Sequence, residues 1–273
     1  MIEYIKRLLI KKLSSESKIK LTRLMSRNWI LANLIGLIFG RSLTKLAQIY
    51  NTDKWGAHFY TPHYQRHLSK FKYKKIKLLE IGIGGYDDPR KGGESLRMWK
   101  RYFPFGKIYG LDICDKSFHR ESRLEIYQGS QVDLNFLENL INDTGQLDII
   151  IDDGSHVNDH VITTFEYLFP MLKDGGIYVI EDTQTSYWKE FGGSSSDLQM
   201  EGTIMNFFKG LTDGLNHKEF SMPNYESSYY DNNIVEIHFY HNLIFIAKGS
   251  NSEPSNVLID NTIPHNIDLK KLK

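Results

Sequence analysis

Cysteine is almost missing from this chain: Cys114 is the only one in 273 residues. That excludes an internal disulfide framework and favours a reducing compartment, the cytoplasm. No apolar run reaches the roughly 18 residues a membrane-spanning helix requires. The longest, "WILANLIGLIFG" (29–40), is too short. The basic N-terminus shows no apolar stretch followed by a small-residue cleavage site, so no secretory leader is expected. Internal repeats and low-complexity segments are also lacking. Nor does the body carry the basic excess that nucleic-acid binding would need.

What is present is unevenly distributed. The net charge of +1 conceals ten Lys/Arg and two Glu in residues 1–50, which leaves 24 Lys/Arg and 31 Asp/Glu, a balance of −7, for the rest. The chain therefore reads as a basic, apolar arm (1–45) on an acidic body. "YIKRLLIKKL" and "IKLTRLM" space their apolar residues like helix faces. Such an arm is expected to pack on the body or on a second subunit, giving a homo-oligomer. The competing role is contact with an anionic membrane surface, which would make the protein peripheral at the inner face of the membrane.

From Lys75 the pattern alternates. Strands are predicted over 75–85, 107–113, 123–129, 147–154 and 176–182, and helices over 93–103, 132–142 and 161–172. Strands separated by helices of this length imply βαβ units and a parallel sheet. "IVEIHFYHNLIFIAKG" (234–249) instead holds two β-rich runs around "YHN", an antiparallel hairpin. A parallel sheet closed by such a hairpin, with an N-terminal helical arm, is the α/β architecture of class I, Rossmann-like S-adenosylmethionine (SAM) methyltransferases. Residues 183–233 read as a long polar connection, of the kind that serves as a lid or mobile segment. Residues 250–273 read as a loosely held tail. The expected organisation is thus an arm (1–45), a methyltransferase domain (46–249) and a tail.

The first strand enters a glycine turn, "LLEIGIGGYDDPRKGGES". Gly82, Gly84 and Gly85 do not have dinucleotide-fingerprint spacing, and a glycine turn alone is weak evidence. Glu80 just before it sharpens the reading. An acidic residue there suits the charged methionine end of SAM, whereas a phosphate loop wants donors and positive charge. Ser95, which opens the next helix, joins the same set. Asp112 ends the second strand, where a carboxylate can accept both ribose hydroxyls. It lies 30 residues after Gly82, the excess over the usual spacing being taken up by "YDDPRKGGES". Ser130 and Gln131, after the third strand, are placed to flank an adenine.

Taken together, "EIGIGG", "GGESLRMWKRYFP", "IYGLDI", "LDIIIDDGSH" and "GGIYVIEDTQTSYW" resemble the metal-dependent sugar O-methyltransferases of macrolide biosynthesis, the mycinamicin and tylosin type. They are also similar to the proteins named after cephalosporin hydroxylase. The resemblance covers about residues 45–190, and "LAQIYNTDKWGAHFYTPHYQRHL" (46–68) looks like the family's segment before the sheet. The first 45 residues do not match the family's larger N-terminal domain. The resemblance implies that Asp153, Glu181 and Asp182 hold a divalent metal, Mg²⁺, and that His156 is the base. Physical reasoning agrees. Asp153 follows the fourth strand and Glu181 and Asp182 the fifth, so three carboxylates would converge, which is unfavourable without a cation. An all-oxygen set suits Mg²⁺, and a histidine titrates near neutral pH. Asp152 can hold either cofactor or substrate.

His58, His63 and His67 lack zinc-site spacing, so that aromatic segment reads as cover over the cofactor, with Tyr60 and Tyr64 as contacts. Tyr187 and Trp188 are candidates for a wall against a sugar ring. The leading expectation is therefore a SAM- and Mg²⁺-dependent O-methyltransferase. Its acceptor would be a sugar hydroxyl of a small-molecule glycoside or surface glycan. The alternatives are a metal-dependent hydrolase or hydroxylase on the same fold, and a non-catalytic SAM-binding module.

Overall fold

The computed structural model describes residues 42–265 and 267. The arm expected over 1–45 lies outside the described residues apart from its last four. The chain divides into two compact units, one running to Gly129 and one starting at Ser130.

The first unit opens with α1 (Leu43–Tyr50) and α2 (Thr61–Leu68). Ser42 caps α1 by accepting from the Lys45 N–H, and Asn51 ends it in the left-handed conformation, φ 58°, a position asparagine tolerates. The boundary expected at residue 45 falls inside this helix. Then follow β1 (Lys77–Ile81), α3 (Glu94–Tyr102), β2 (Lys107–Asp112) and β3 (Leu124–Gln128). β1 pairs with β2 and β2 with β3, all parallel, with Glu80 opposite Gly110 and Asp112 opposite Gln128. The strand carboxyl ends therefore lie side by side. Helix α3 carries Glu94 in its first turn and Lys100 and Arg101 in its last, matching the helix dipole. It buries Leu96, Trp99 and Tyr102, a three- to four-residue repeat along one face.

The second unit holds α4 (Leu134–Thr144), β4 (Leu147–Asp152), α5 (Asn158–Leu168), β5 (Leu172–Glu181), α6 (Ile204–Gly214), α7 (Tyr229–Asn233), β6 (Ile234–Tyr240) and β7 (Leu243–Lys248). β4 and β5 are parallel, β5 and β7 antiparallel, and β7 and β6 antiparallel. The expected hairpin is present. Its two-residue turn is His241–Asn242, with Asn242 at φ 59°, the backbone sign that short hairpins favour. Every residue of β7 is buried, while β6 exposes Val235 and Glu236, as befits a covered strand beside an edge strand. No described helix is long and apolar enough to cross a membrane.

Three features differ from the sequence reading. The strand expected over 176–182 starts earlier, at Leu172: "KDGG" (173–176) lies within β5 as a bulge, pairing resuming at Ile149↔Ile177 after Leu147↔Leu172. Lys173 is tied there to Asp148 at 2.9 Å. Residues 183–233 are not a connection without secondary structure: α6 lies within them and packs Phe207 and Phe208 edge-on against Phe165 of α5. The described part of the tail is held too: Asn251 Nδ2 donates to the Asp231 carbonyl at 2.9 Å and Asn261 Nδ2 to the His217 and Phe220 carbonyls at 2.8 Å.

Candidate functional site

The first unit gathers the residues expected to hold SAM. Glu80, on the last turn of pleat in β1, is fully buried, and its Oε1 lies 3.2 Å from the Nζ of an equally buried Lys54. Ser95 Oγ donates to its other oxygen at 2.9 Å. A buried carboxylate needs such partners to stay charged. Asp112 accepts from the Ile83 N–H through Oδ2 and from the Cys114 N–H through Oδ1, both at 2.9 Å. Since a carboxylate offers about four lone-pair sites, Asp112 anchors the glycine loop and still has acceptor capacity for two hydroxyls. That donor-and-acceptor set fits an amino-acid carboxyl or amine together with a ribose, as SAM presents.

Gly82 and Gly84 both take positive φ, 88° and 77°. The loop after them doubles back: the Gly93 N–H donates to the Ile83 carbonyl at 2.8 Å. A side chain on Gly92 would run into the Gly84 carbonyl, so only glycine allows the strands of the loop to close. Buried Lys116 donates from Nζ to the Asp88 carbonyl at 2.8 Å, and His119 Nε2 sits 3.1 Å from the Lys91 carbonyl. Arg97, a donor only, lies 3.1 Å from His119 Nδ1, so Nε2 carries the proton and donates to Lys91. The extra length that separates Asp112 from the glycines is thus a clamped excursion. Tyr64 is fully buried, its ring tilted on Trp99 at 4.9 Å; it supports α3 from inside this unit.

The second unit gathers the metal and base candidates. β4 ends on Asp152 and β5 on Glu181, neighbours in register through Asp152↔Ile180. Just beyond them Asp153, His156 and Asp182 offer ligand atoms within 4.8 Å of one another, and an oxygen of Glu181 comes equally close to Asp153. His156 Nε2 is 3.9 Å from Asp153 Oδ1 and 3.8 Å from Asp182 Oδ2. Those separations exceed a hydrogen bond but lie within ion-pair range of both carboxylates. The oxygen-rich set fits a hard divalent cation such as Mg²⁺. His156 and Asp182 both adopt left-handed backbone, φ 57° and 54°, and strain of this sort clusters at functional sites.

Asp152 is set apart from that group. It is 1% exposed. Burial pushes its carboxyl up to about 7, the Asp153 charge adds to the shift, and hydrogen bonds from Gly154 and Gln131 oppose it. Gln131 donates to both Asp152 oxygens at 3.2 and 3.3 Å and accepts from the Ser155 N–H at 2.8 Å. Its side chain therefore ties the loop after β3 to the loop after β4. Ser130 Oγ accepts from the Val132 N–H at 3.3 Å within its own turn. Tyr187 and Trp188, just past the acidic pair, are 37% and 47% exposed, and the Trp188 ring lies 6.0 Å from that of Phe191.

Two groups escaped sequence reasoning. Lys54 stands 26 residues before Glu80 with no local pattern joining them; only the cost of a buried carboxylate hinted that a cation must exist. Asn158, inside the stretch "SHVNDH", is 1% exposed and reaches across to residues 185–204, a contact no periodicity encodes.

No family model matches the chain. Curated proteins do. It is 48% identical over 213 residues to a mycinamicin VI 2''-O-methyltransferase of Micromonospora griseorubida, covering 77% of this chain and 53% of that protein. It is 47% identical over 228 residues to a demethylmacrocin O-methyltransferase of Streptomyces fradiae, covering 83% and 57%. A tetracenomycin rhamnosyl 2'-O-methyltransferase of Streptomyces olivaceus is 47% identical over 77% of this chain and 55% of its own length. Among solved structures, the MycE methyltransferase of the mycinamycin pathway, in complex with Mg and SAH, superposes with a TM-score of 0.78 at 47% identity, covering 85% of this chain and 58% of that one. The chain spans little more than half the length of the curated relatives it matches. Over that shared part it is a homologue of the sugar O-methyltransferases of macrolide and tetracenomycin type, with the class I methyltransferase fold.

Proposed function

We propose that this chain transfers a methyl group from SAM to a sugar hydroxyl, with a divalent cation bound by Asp153, Glu181 and Asp182. The observation that carries this reading is the convergence of Asp153, His156 and Asp182 in a chain homologous to sugar O-methyltransferases. The similarity to a solved relative holding Mg, SAH and mycinamycin VI supports the same cofactor pair and a glycosylated small molecule as acceptor. When bound, the cation would hold and acidify the acceptor hydroxyls.

The chain's own residues supply the rest. Glu80, with Ser95 and Lys54 fixing its carboxylate, holds the methionine end of SAM. Asp112 takes the ribose, and the turn at Gly82 and Gly84 brings backbone close to the cofactor. Ser130, Gln131 and Asp152 shape the adenine and acceptor boundary. His156 Nε2 accepts the hydroxyl proton as the oxygen forms its bond to the methyl carbon. The sulfur–carbon bond breaks, and the sulfonium leaves as neutral thioether. Tyr187 and Trp188 face the sugar ring. Residues 1–45 we assign, on charge and apolar spacing, to association with a second copy; contact with anionic membrane is the competing role.

Transfer of label from methyl-labelled SAM to a rhamnosylated polyketide tests the reading. His156→Ala should lower turnover about 10²–10⁴-fold, the range for a positioned base, while Mn²⁺ binding persists. Loss of Mn²⁺ binding in that variant would make His156 a ligand instead of the base. SAM binding with no transfer to any glycoside would point to a non-catalytic module.

A further inference from the structure

Asn158 opens α5 two residues after His156, and its carboxamide is buried and fully used. Nδ2 donates to the Thr185 carbonyl at 3.2 Å and the Phe191 carbonyl at 2.8 Å, and Oδ1 accepts from the Ile204 N–H at 2.7 Å. Thr185 in turn donates through its N–H and its Oγ1 to the Asp182 carbonyl, at 3.3 and 3.2 Å. Asp182 Oδ2 faces His156 Nε2 at 3.8 Å. These contacts form a closed circuit: His156, Asn158, Thr185, Asp182 and back to His156.

The two functional corners of that circuit are its strained ones, at φ 57° and 54°. Left-handed backbone at a non-glycine residue costs about 1–3 kcal/mol and persists only where the surroundings over-determine it. The side of the circuit that resists relaxation is the Asn158 amide, which bonds both the loop after β5 and the start of α6, beside the Ser186 Oγ that accepts from the Met205 N–H at 3.0 Å. Aspartate there would keep the acceptor for Ile204 but set a carboxylate against two carbonyls; alanine would remove all three bonds. We propose that Asn158 is a positioning residue: it sets the separation of His156 and Asp182, and with it the geometry of the metal-binding carboxylates and of the Tyr187–Trp188 wall. This rests on the functional reading above.

The test compares wild type with Asn158→Ala and Asn158→Asp. Mn²⁺ affinity is read by electron paramagnetic resonance, SAM affinity by calorimetry, kcat and KM by methyl transfer, and folding by the thermal midpoint. Residues that orient metal ligands typically change metal affinity about 10–100-fold, and both variants should lose Mn²⁺ affinity by that factor. They should also lose kcat, with SAM affinity unchanged. A merely structural role would lower the thermal midpoint and leave Mn²⁺ affinity alone. If neither of these variants folds, Asn158→Ser, which keeps a small polar side chain but removes the paired amide donors to Thr185 and Phe191, decides the matter: weaker Mn²⁺ binding supports the proposal and unchanged binding overturns it. Wild type that binds no Mn²⁺ and transfers no methyl group would sink the functional reading and this inference together. Wild type that does both, beside a folded Asn158→Ala with the same Mn²⁺ affinity and kcat, would sink this inference alone.

Discussion

Replacing Lys54 by methionine should be among the most damaging single changes in the first unit. Lys54 and Glu80 are both fully buried with 3.2 Å between Nζ and Oε1. Methionine keeps most of the aliphatic stem, so the lost quantity is the ammonium. Glu80 retains the Ser95 hydroxyl at 2.9 Å, and a neutral hydroxyl offsets a buried negative charge less well than an ammonium does. Removing one member of a buried ion pair costs about 3–5 kcal/mol. For a chain of this size about 2–4 °C of melting temperature accompanies each kcal/mol, so the midpoint should fall by roughly 6–20 °C. Glu80→Gln in the same background removes the carboxylate charge as well and should recover most of the loss, because a buried pair replaced as a whole is often neutral. Differential scanning calorimetry of the two single variants and the double variant forms a thermodynamic cycle. A Lys54→Met variant that melts within about 2 °C of wild type, less than the shift from 1 kcal/mol, would refute the reasoning: Glu80 would then be neutral or satisfied elsewhere.

Two further outcomes are expected. Asp112→Ala should weaken SAM binding in a calorimetric titration by at least tenfold, because a hydrogen bond to a charged group contributes about 1.5–3 kcal/mol and the Ile83 N–H that shapes the loop loses its acceptor; unchanged affinity would remove Asp112 from the cofactor site. A shortened chain beginning at Arg41, which keeps the Ser42 cap of α1, should retain SAM binding but lose self-association in sedimentation; arm-dependent liposome binding that salt weakens would favour membrane contact instead.

Much of this was legible in the sequence, for identifiable reasons. The runs "KLLEI", "KIYGLD" and "LDIIID" are apolar over several consecutive residues, so strand assignment survived to within a few residues at either end. Asp112, Asp153, Glu181 and Asp182 follow such runs directly, and position at a strand end is a property sequence displays. The start of β5 was set four residues late, at 176 instead of Leu172, because adjacent glycines in "KDGG" are turn formers, while a bulge uses the same backbone freedom inside a strand. The segment 183–233 looked polar overall, and the short apolar face "IMNFF" that seats α6 was diluted by it. Gln131 follows β3, as the sequence displays, but its amide bonds to Asp152 and Ser155, a direction no spacing rule predicts. Lys54 and Asn158 are long-range polar contacts and carry no periodic signal at all.

The central claim is that Asp153, Glu181 and Asp182 serve a catalytic divalent cation in methyl transfer to a sugar hydroxyl. The most direct measurement is turnover on a glycosylated acceptor, with methyl-labelled SAM, after exhaustive treatment with EDTA and again after Mg²⁺ is restored. Chelation should abolish transfer while calorimetric SAM affinity holds, and Mg²⁺ should bring activity back. Full turnover in the chelated protein would contradict the account, since the converging carboxylates would then serve something other than a metal.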